Sequence, residues 1–168
     1  ESITLLLMFL YSFLAMTAYT IIKPLATGTF IAVVGAENLP VMVLVAGPVI
    51  AVIMQIYTAG ISRLPQRWVI QVTQAGVVVL LIGFSVIFRV GQGLISVSAI
   101  YVFRLILGVL LLSQFWTLAN DIYDPRQAKR FFGFIGGGSA LGGLTASFLV
   151  QQTIETIGLN NLLLVSAV

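Results

Sequence analysis

Two basic residues lie inside apolar segments of this sequence, where a charged group is expected to have a partner or a function. Lys23 lies in the first apolar segment and Arg104 lies in the fourth. A charge within a membrane span is costly and usually faces a watery cavity or an anion. The arginine fork suits phosphate or carboxylate groups, and the lysine ammonium adds a point charge. The pair therefore predicts a binding site for an anionic solute.

Four polar residues are predicted to accompany these two cations. Tyr19, Lys23 and Thr27 recur every four residues, which places them on one stripe of a helix. Gln114 and Asn120 supply amide groups towards the end of the fourth segment. We therefore predict a substrate path between the first and fourth helices, lined by Lys23, Arg104, Tyr19, Thr27, Gln114 and Asn120.

Both basic residues also have a simpler interpretation. Lys23 could mark the outer end of a conventional span and extend to the lipid headgroups. Arg104 could belong to a structural ion pair or bind backbone carbonyls. At 100° per residue, Arg104 also lies about 80° around its helix from Gln114. That angle argues against a single lined pore, so both alternatives stay open.

The composition indicates that the chain belongs in a membrane. Of 168 residues, 60% are hydrophobic and 8% are charged, whereas soluble domains carry about 25% charged residues. The chain contains no Cys and no His, which excludes thiolate ligands and the usual proton shuttle. It also offers no nucleophile with a base and no carboxylate pair. We predict an all-α integral membrane protein that is not an enzyme and holds no metal or cofactor.

Six apolar segments predict membrane spans, which need roughly 20 residues each. Proline removes a backbone hydrogen bond, so a break in the first helix is expected at Pro24. Residues 1–168 are expected to form one six-span unit built from two inverted three-helix repeats, with the sixth span truncated. The predicted spans are 3–34, 41–59, 68–88, 94–119, 131–150 and 160–168.

The basic residues of the loops predict the orientation. They are concentrated after the second and fourth spans, and basic loops face the cytoplasm. The N-terminus is then cytoplasmic as well. The pair Asp124-Pro125 has the residue types of a helix start. The net charge of +3 follows from this topology and does not indicate nucleic-acid binding. The predicted cytoplasmic residues are Arg63, Arg67, Asp124, Arg126, Lys129 and Arg130.

Small residues at intervals of four in the fifth span predict a close contact with another helix, because such ladders let two backbones approach in lipid. A nucleotide-binding loop is excluded, since no strand precedes the glycines and no Lys-Ser or Lys-Thr pair follows them. We expect the ladders to contact a second six-helix half or another membrane subunit. The two ladders are Gly138-Gly142-Ala146 and Ser139-Gly143-Ser147.

The end of the fourth span and the start of the fifth carry a recognisable pattern of residues. Its elements are Phe115-Trp116, Ala119-Asn120, Ala128-Lys129-Arg130-Phe131 and Gly133. This pattern resembles the nucleotide (ATP/ADP translocase) transporter family, a branch of the major facilitator superfamily. Lys23-Pro24 is similar to the basic residue and proline of that family's first helix. The resemblance implies the N-terminal half of a secondary transporter in a bacterial inner membrane.

Two departures from the family pattern bear on the substrate. An ungapped comparison places Arg104 where members that exchange ATP for ADP carry an acidic residue. Residues 60–67 are similar to a cytoplasmic loop of the superfamily but lack its Asp. Our first hypothesis is an antiporter for an organic or phosphate-bearing anion such as a nucleotide. The second is a non-transporting accessory subunit of an energy-converting complex that has kept the transporter fold.

The orientation can be tested by labelling single cysteines introduced into a version of the protein that lacks other cysteines. A cysteine at Arg63 or Gln127 should react with an impermeant thiol reagent only from the cytoplasmic side, and one at Glu37 only from outside. Labelling of all three positions from one side would contradict the predicted topology.

Overall fold

The chain folds into long α-helices joined by short connections. A computed structural model describes residues 2–63, 65–91, 93–123 and 125–157. Within these ranges no strand occurs. The predicted sixth span, 160–168, lies outside them. The helices are α1 (Ser2–Val34), α2 (Leu39–Arg63), α3 (Gln66–Val90), α4 (Leu94–Ile122) and α5 (Pro125–Ile157), with a short 3₁₀ helix, Ala36–Asn38, between α1 and α2.

Five helices in the described part of the chain are long and apolar enough to cross a membrane. The prediction of an all-α membrane protein is thereby confirmed, and each of the first five predicted spans falls within one helix. The apolar segments of these helices are Ile3–Val34, Ala36–Arg63, Arg67–Phe88, Leu94–Ile122 and Phe131–Gln152.

The expected break at Pro24 is wrong, because α1 continues through it for 33 residues. Pro24 itself is exposed, whereas Ile22 and Ala26 on either side are fully buried. The missing proline N–H removes one hydrogen bond, and burial of the flanking side chains stabilises the helical geometry on both sides of it. The chain turns instead at Gly35, whose φ of 97° favours a residue without a side chain.

The connections are shorter than the sequence predicts. Residues 60–63, which belong to the stretch likened to a cytoplasmic loop, are still helical at the end of α2. The predicted loop after the fifth span is wrong where it is described, because residues 155–157 are still helical. Polar residues at the end of a span can extend a helix into the headgroup region, so hydropathy alone places helix ends too early. The predicted helix start at Pro125 is confirmed.

Helix α1 packs against α4 and α5, and α4 also packs against α2 and α3. The largest buried cluster joins α1, α3 and α4, and its members from α1 are Ile22, Leu25 and Ala26. A second cluster joins α2, α3 and α4 around Tyr57 and Leu110. Most other large side chains of α2 and α3 are exposed, as expected for surfaces that face lipid.

The closest helix contact is between α1 and α5. A Cβ atom added at Gly138 would lie 2.7 Å from the Phe9 carbonyl oxygen. One added at Gly142 would lie closer still to the carbonyl oxygen of Phe13. Ala146 is fully buried in the same interface, whereas Gly143 has more space, with Met16 as its nearest neighbour.

This contact confirms close packing along the first ladder and corrects the expected partner. The ladder packs against α1 of the same chain, whereas we expected a second half or another subunit. The contact was missed because a small-residue ladder shows that a helix approaches closely but does not show which helix it is. Polar side chains reinforce the contact, since the Ser12 hydroxyl bonds the Ile135 carbonyl at 3.1 Å and also the Ser139 hydroxyl.

Gly142→Ala tests this contact with the smallest possible change. The added methyl group would meet the Phe13 carbonyl, and overpacking of this kind costs about 1–3 kcal/mol. We expect a clearly lower melting temperature for the full-length protein in detergent, measured by intrinsic fluorescence.

Gly137→Ala is the matched control, because a Cβ atom added there meets nothing within 4 Å. It should leave the melting temperature unchanged or slightly raised, since alanine favours a helix over glycine. Equal melting temperatures for the two variants would contradict the close α1–α5 contact.

Candidate functional site

A cavity of about 580 Å³ lies between α1, α4 and α5. Its volume is within the range of small-molecule sites. Aromatic side chains form much of its wall: Tyr11, Tyr19, Phe115, Trp116 and Phe132. The hydroxyl groups of Ser12 and Ser139 lie in the wall as well. The cavity is therefore mainly apolar, with a few polar groups.

Pairs of residues in contact show that α1 and α4 are antiparallel next to this cavity. As the residue number rises along α1, the number of the partner on α4 falls. The pairs are Tyr11 with Gln114, Tyr19 with Gly108, and Phe30 with Tyr101.

Lys23 and Arg104 lie at the same level of this antiparallel pair. Lys23 is one turn beyond Tyr19 on α1, and Arg104 is one turn before Gly108 on α4. Tyr19 and Gly108 are in contact, since a Cβ atom added at Gly108 would lie 3.0 Å from the Tyr19 ring. One turn further along the antiparallel pair, Lys23 of α1 and Arg104 of α4 therefore lie at the same level. The register of α1 and α4 thus gives the two basic residues that the sequence singled out a similar level along the helices.

Arg104 is buried, with 8% of its surface exposed. Its guanidinium carbon lies 4.9 Å from the centre of the Tyr101 ring, a distance at which a cation is attracted to an aromatic face. The Tyr101 ring in turn packs against Phe30 of α1 at 4.7 Å. The Arg104 Nε atom is buried without a hydrogen-bond partner. Cation–π contact thus replaces only part of the hydration that this guanidinium loses.

The other predicted residues of α1 differ in their surroundings. Lys23 is exposed, whereas Thr27 is half-buried and its hydroxyl makes no hydrogen bond. Tyr19 lines the cavity. Tyr19 of α1 and Leu105 of α4 form one end of the cavity wall. Lys23 lies one turn beyond Tyr19 along α1, and Arg104 is the residue next to Leu105. Neither cation belongs to the cavity wall itself.

Gln114 is 1% exposed and belongs to a buried polar cluster that joins four helices. Its Oε1 atom accepts hydrogen bonds from the Tyr11 hydroxyl of α1 at 3.3 Å and from Nε2 of Gln74 of α3 at 2.8 Å. The Tyr57 hydroxyl of α2 lies near Gln114 without the geometry of a hydrogen bond. The amide oxygen predicted to bind substrate thus bonds to the protein.

The sequence analysis missed Tyr11, Gln74 and Tyr57 as members of this cluster. The available signal was a side chain with a polar group within each of three apolar segments. Asn120, the last predicted substrate residue, is exposed near the end of α4. It lies outside the cavity wall.

The predicted cytoplasmic residues are only partly described. Arg63 and Arg67 are exposed at the adjoining ends of α2 and α3. Asp124 and the side chains of Arg126, Lys129 and Arg130 lie outside the described residues. Their orientation therefore stays a prediction.

In the part of the chain that the structure describes, the fold and the site define an all-helical integral membrane protein with an open cavity between α1, α4 and α5. No protein-family model, no curated protein and no solved structure matches this chain.

Gln114→Leu tests the role of the buried amide. The change leaves Tyr11 and Gln74 without their shared acceptor, and an unsatisfied buried polar group costs about 1–3 kcal/mol. We expect a lower melting temperature of the full-length protein in detergent. The double variant Gln74→Leu/Gln114→Leu should recover part of the loss, because removing both partners can be nearly neutral. Additive losses in the double variant would contradict direct pairing of the two amides.

Proposed function

We propose that this chain is the N-terminal half of a secondary active transporter for an organic or phosphate-bearing anion. The observation that carries the proposal is that Lys23 and Arg104 lie level with each other beside the α1–α4–α5 cavity. Two cations at one level raise the local positive potential, which attracts and orients an anion.

The absence of nearby acidic residues supports an anionic substrate. No Asp or Glu occurs in α1 or in α4 before Asp121, and Asp121 is exposed. The positive charge at the level of Lys23 and Arg104 is thus not neutralised by a carboxylate on either helix. A buried guanidinium with an unpaired Nε gains more from an anion than from a neutral solute.

The pairing of helices supports the proposal that the bundle consists of inverted three-helix repeats. In such a repeat α4 corresponds to α1 and α5 corresponds to α2, so the α1–α5 pair has α4–α2 as its counterpart. Both pairs are in contact: α1 packs beside α5 in parallel from Phe9 to Ile21, and α2 packs beside α4 around Tyr57 and Leu110. This arrangement favours a major-facilitator-type half, in which the first and fourth helices line the substrate path.

The remaining features of the proposal follow from the sequence. The resemblance to the nucleotide transporter family favours a bacterial inner membrane, and the basic loops favour a cytoplasmic N-terminus. A second six-helix half is required, because alternating access moves one half against the other around the site.

A second candidate is a non-transporting accessory subunit with the same fold. The exposed surface of α2 favours it, because Ala46 and Tyr57 are its only buried residues. Such a surface fits a neighbouring subunit as well as lipid. Reconstitution of the full-length protein alone separates the two candidates, since an accessory subunit would take up no solute without its complex.

Neutralising either cation tests the proposed anion transporter. In proteoliposomes with the full-length protein, Lys23→Gln and Arg104→Gln should each lower uptake of radiolabelled ADP or inorganic phosphate at least about tenfold. A charge-assisted hydrogen bond contributes about 1.5–3 kcal/mol, and 1.4 kcal/mol corresponds to tenfold.

Lys23→Arg and Arg104→Lys are the matched controls, because they retain the charge and change only its geometry. Each should keep more uptake than the corresponding Gln variant. Full uptake in both Gln variants would contradict the proposal, as would the absence of any uptake of either anion by the unmodified protein.

A further inference from the structure

An open apolar groove of about 430 Å³ lies between α2 and α3. It shares no wall residue with the cavity between α1, α4 and α5. The buried residues Tyr57 and Leu110 form its floor, and the exposed side chains of Ile56, Trp68 and Val72 form its rims. Because its wall is almost entirely apolar, the groove suits a hydrocarbon ligand.

One end of this groove lies at the level of the membrane surface. Trp68 is 58% exposed and stands at the start of the apolar segment of α3, Arg67–Phe88. Tryptophan is typical of the interface between lipid and water, where its ring lies among the headgroups. The groove continues inward to Ile53, ten residues or about 15 Å before the end of α2. It therefore extends from the headgroup level into the hydrocarbon region.

Two arginines stand at the headgroup end of the groove. Ile56, Gly60 and Arg63 recur at intervals of four and three residues, so they lie on one face of α2. Ile56 and Gly60 line the groove, and Arg63 follows about 4.5 Å beyond Gly60. Gly60 has no side chain that could close the groove towards Arg63. Arg67 directly precedes Trp68 on α3, and both arginines are exposed.

The positive charge of these arginines is not neutralised within the described part of the chain. Helices α2 and α3 contain no Asp or Glu, and no carboxylate of the described residues forms an ion pair with Arg63 or Arg67. Basic residues next to the ends of membrane helices attract anionic lipid headgroups. Positive charge at the headgroup level with an apolar groove behind it is complementary to a phospholipid with a negative headgroup and apolar acyl chains.

We propose that the groove between α2 and α3 binds an acyl chain of an anionic phospholipid whose phosphate group contacts Arg63 and Arg67. A soluble phosphate ester would use the arginines and leave the groove empty. A zwitterionic lipid would bring its own ammonium group to the arginines. The proposal does not depend on the proposed transport function, because neither Lys23 nor Arg104 takes part in it.

Val72 offers a way to fill the groove without changing the arginines. It lines the groove and is 66% exposed, so phenylalanine at this position would occupy the space of the acyl chain. Val79 lies two turns further along the same face of α3, is 67% exposed and lies outside the groove wall. Val79→Phe is therefore the matched control. For Arg63→Gln the control is Arg63→Lys, which retains the charge.

The experiment measures which lipid lies next to Trp68, through quenching of its fluorescence by lipids with brominated acyl chains. The full-length protein is reconstituted in phosphatidylcholine vesicles with increasing fractions of brominated phosphatidylglycerol or brominated phosphatidylcholine. The Trp68 signal is the difference between the unmodified protein and Trp68→Phe.

We expect a preference for phosphatidylglycerol of at least about tenfold, because each basic residue near the headgroups contributes roughly fivefold. Arg63→Gln and Val72→Phe should each lower this preference at least about threefold. Arg63→Lys and Val79→Phe should retain it.

Three results would overturn the proposal. Equal quenching by the two brominated lipids would mean that the arginines select no headgroup, and a preference unchanged in Arg63→Gln would exclude this arginine from the site. A preference that falls in Arg63→Gln but not in Val72→Phe would mean that the headgroup binds at the surface without an acyl chain in the groove. If Val72→Phe does not fold, the smaller change Val72→Leu takes its place, and the exposed Arg63 still decides the headgroup question.

Discussion

The close approach of α1 and α5 is the constraint on which the rest of the bundle depends. Membrane helices gain little from burying apolar side chains, because lipid is equally apolar, so close backbone packing is a main source of their association. Gly138 and Gly142 allow the α5 backbone to approach the carbonyl oxygens of Phe9 and Phe13. This contact sets the position of α1, and the cavity forms where α4 meets the same helix.

Polar groups divide into two sets with different consequences. Tyr11 and Gln74 both donate hydrogen bonds to Gln114, which joins three helices and so stabilises one arrangement of the bundle. Arg104 has a cation–π contact and an unpaired Nε. A satisfied network favours a structural role, whereas a partly satisfied buried cation favours a role in binding.

Much of the fold was predictable from hydropathy, because each span must be continuous, apolar and long enough to cross the bilayer. Helix ends were less predictable, since polar residues can continue a helix beyond the apolar segment, as α5 does up to Ile157. The effect of Pro24 was not predictable either, because it depends on the burial of neighbours such as Ile22 and Ala26.

The candidate site was only partly predictable, because it depends on how the helices pack. A single sequence identifies Lys23 and Arg104 as costly within a membrane. It cannot place them at one level, because that depends on the register between α1 and α4. Gln114 was predicted to bind substrate because it is polar. Its Oε1 atom instead accepts hydrogen bonds from Tyr11 and Gln74, and a single sequence does not show that these distant residues are its partners.

Cross-linking between α1 and α4 tests the central claim most directly, namely that Lys23 and Arg104 lie at the same level of the two helices. The variant Lys23→Cys/Arg104→Cys would be treated in membranes with a short bifunctional thiol reagent. The reference pair is Tyr19→Cys/Gly108→Cys, which the structure places in contact, and the distant pair is Lys23→Cys/Leu112→Cys, about two turns away along α4. We predict efficient cross-linking of the first two pairs and little of the third. Cross-linking of the reference pair without that of Lys23 and Arg104 would contradict the account.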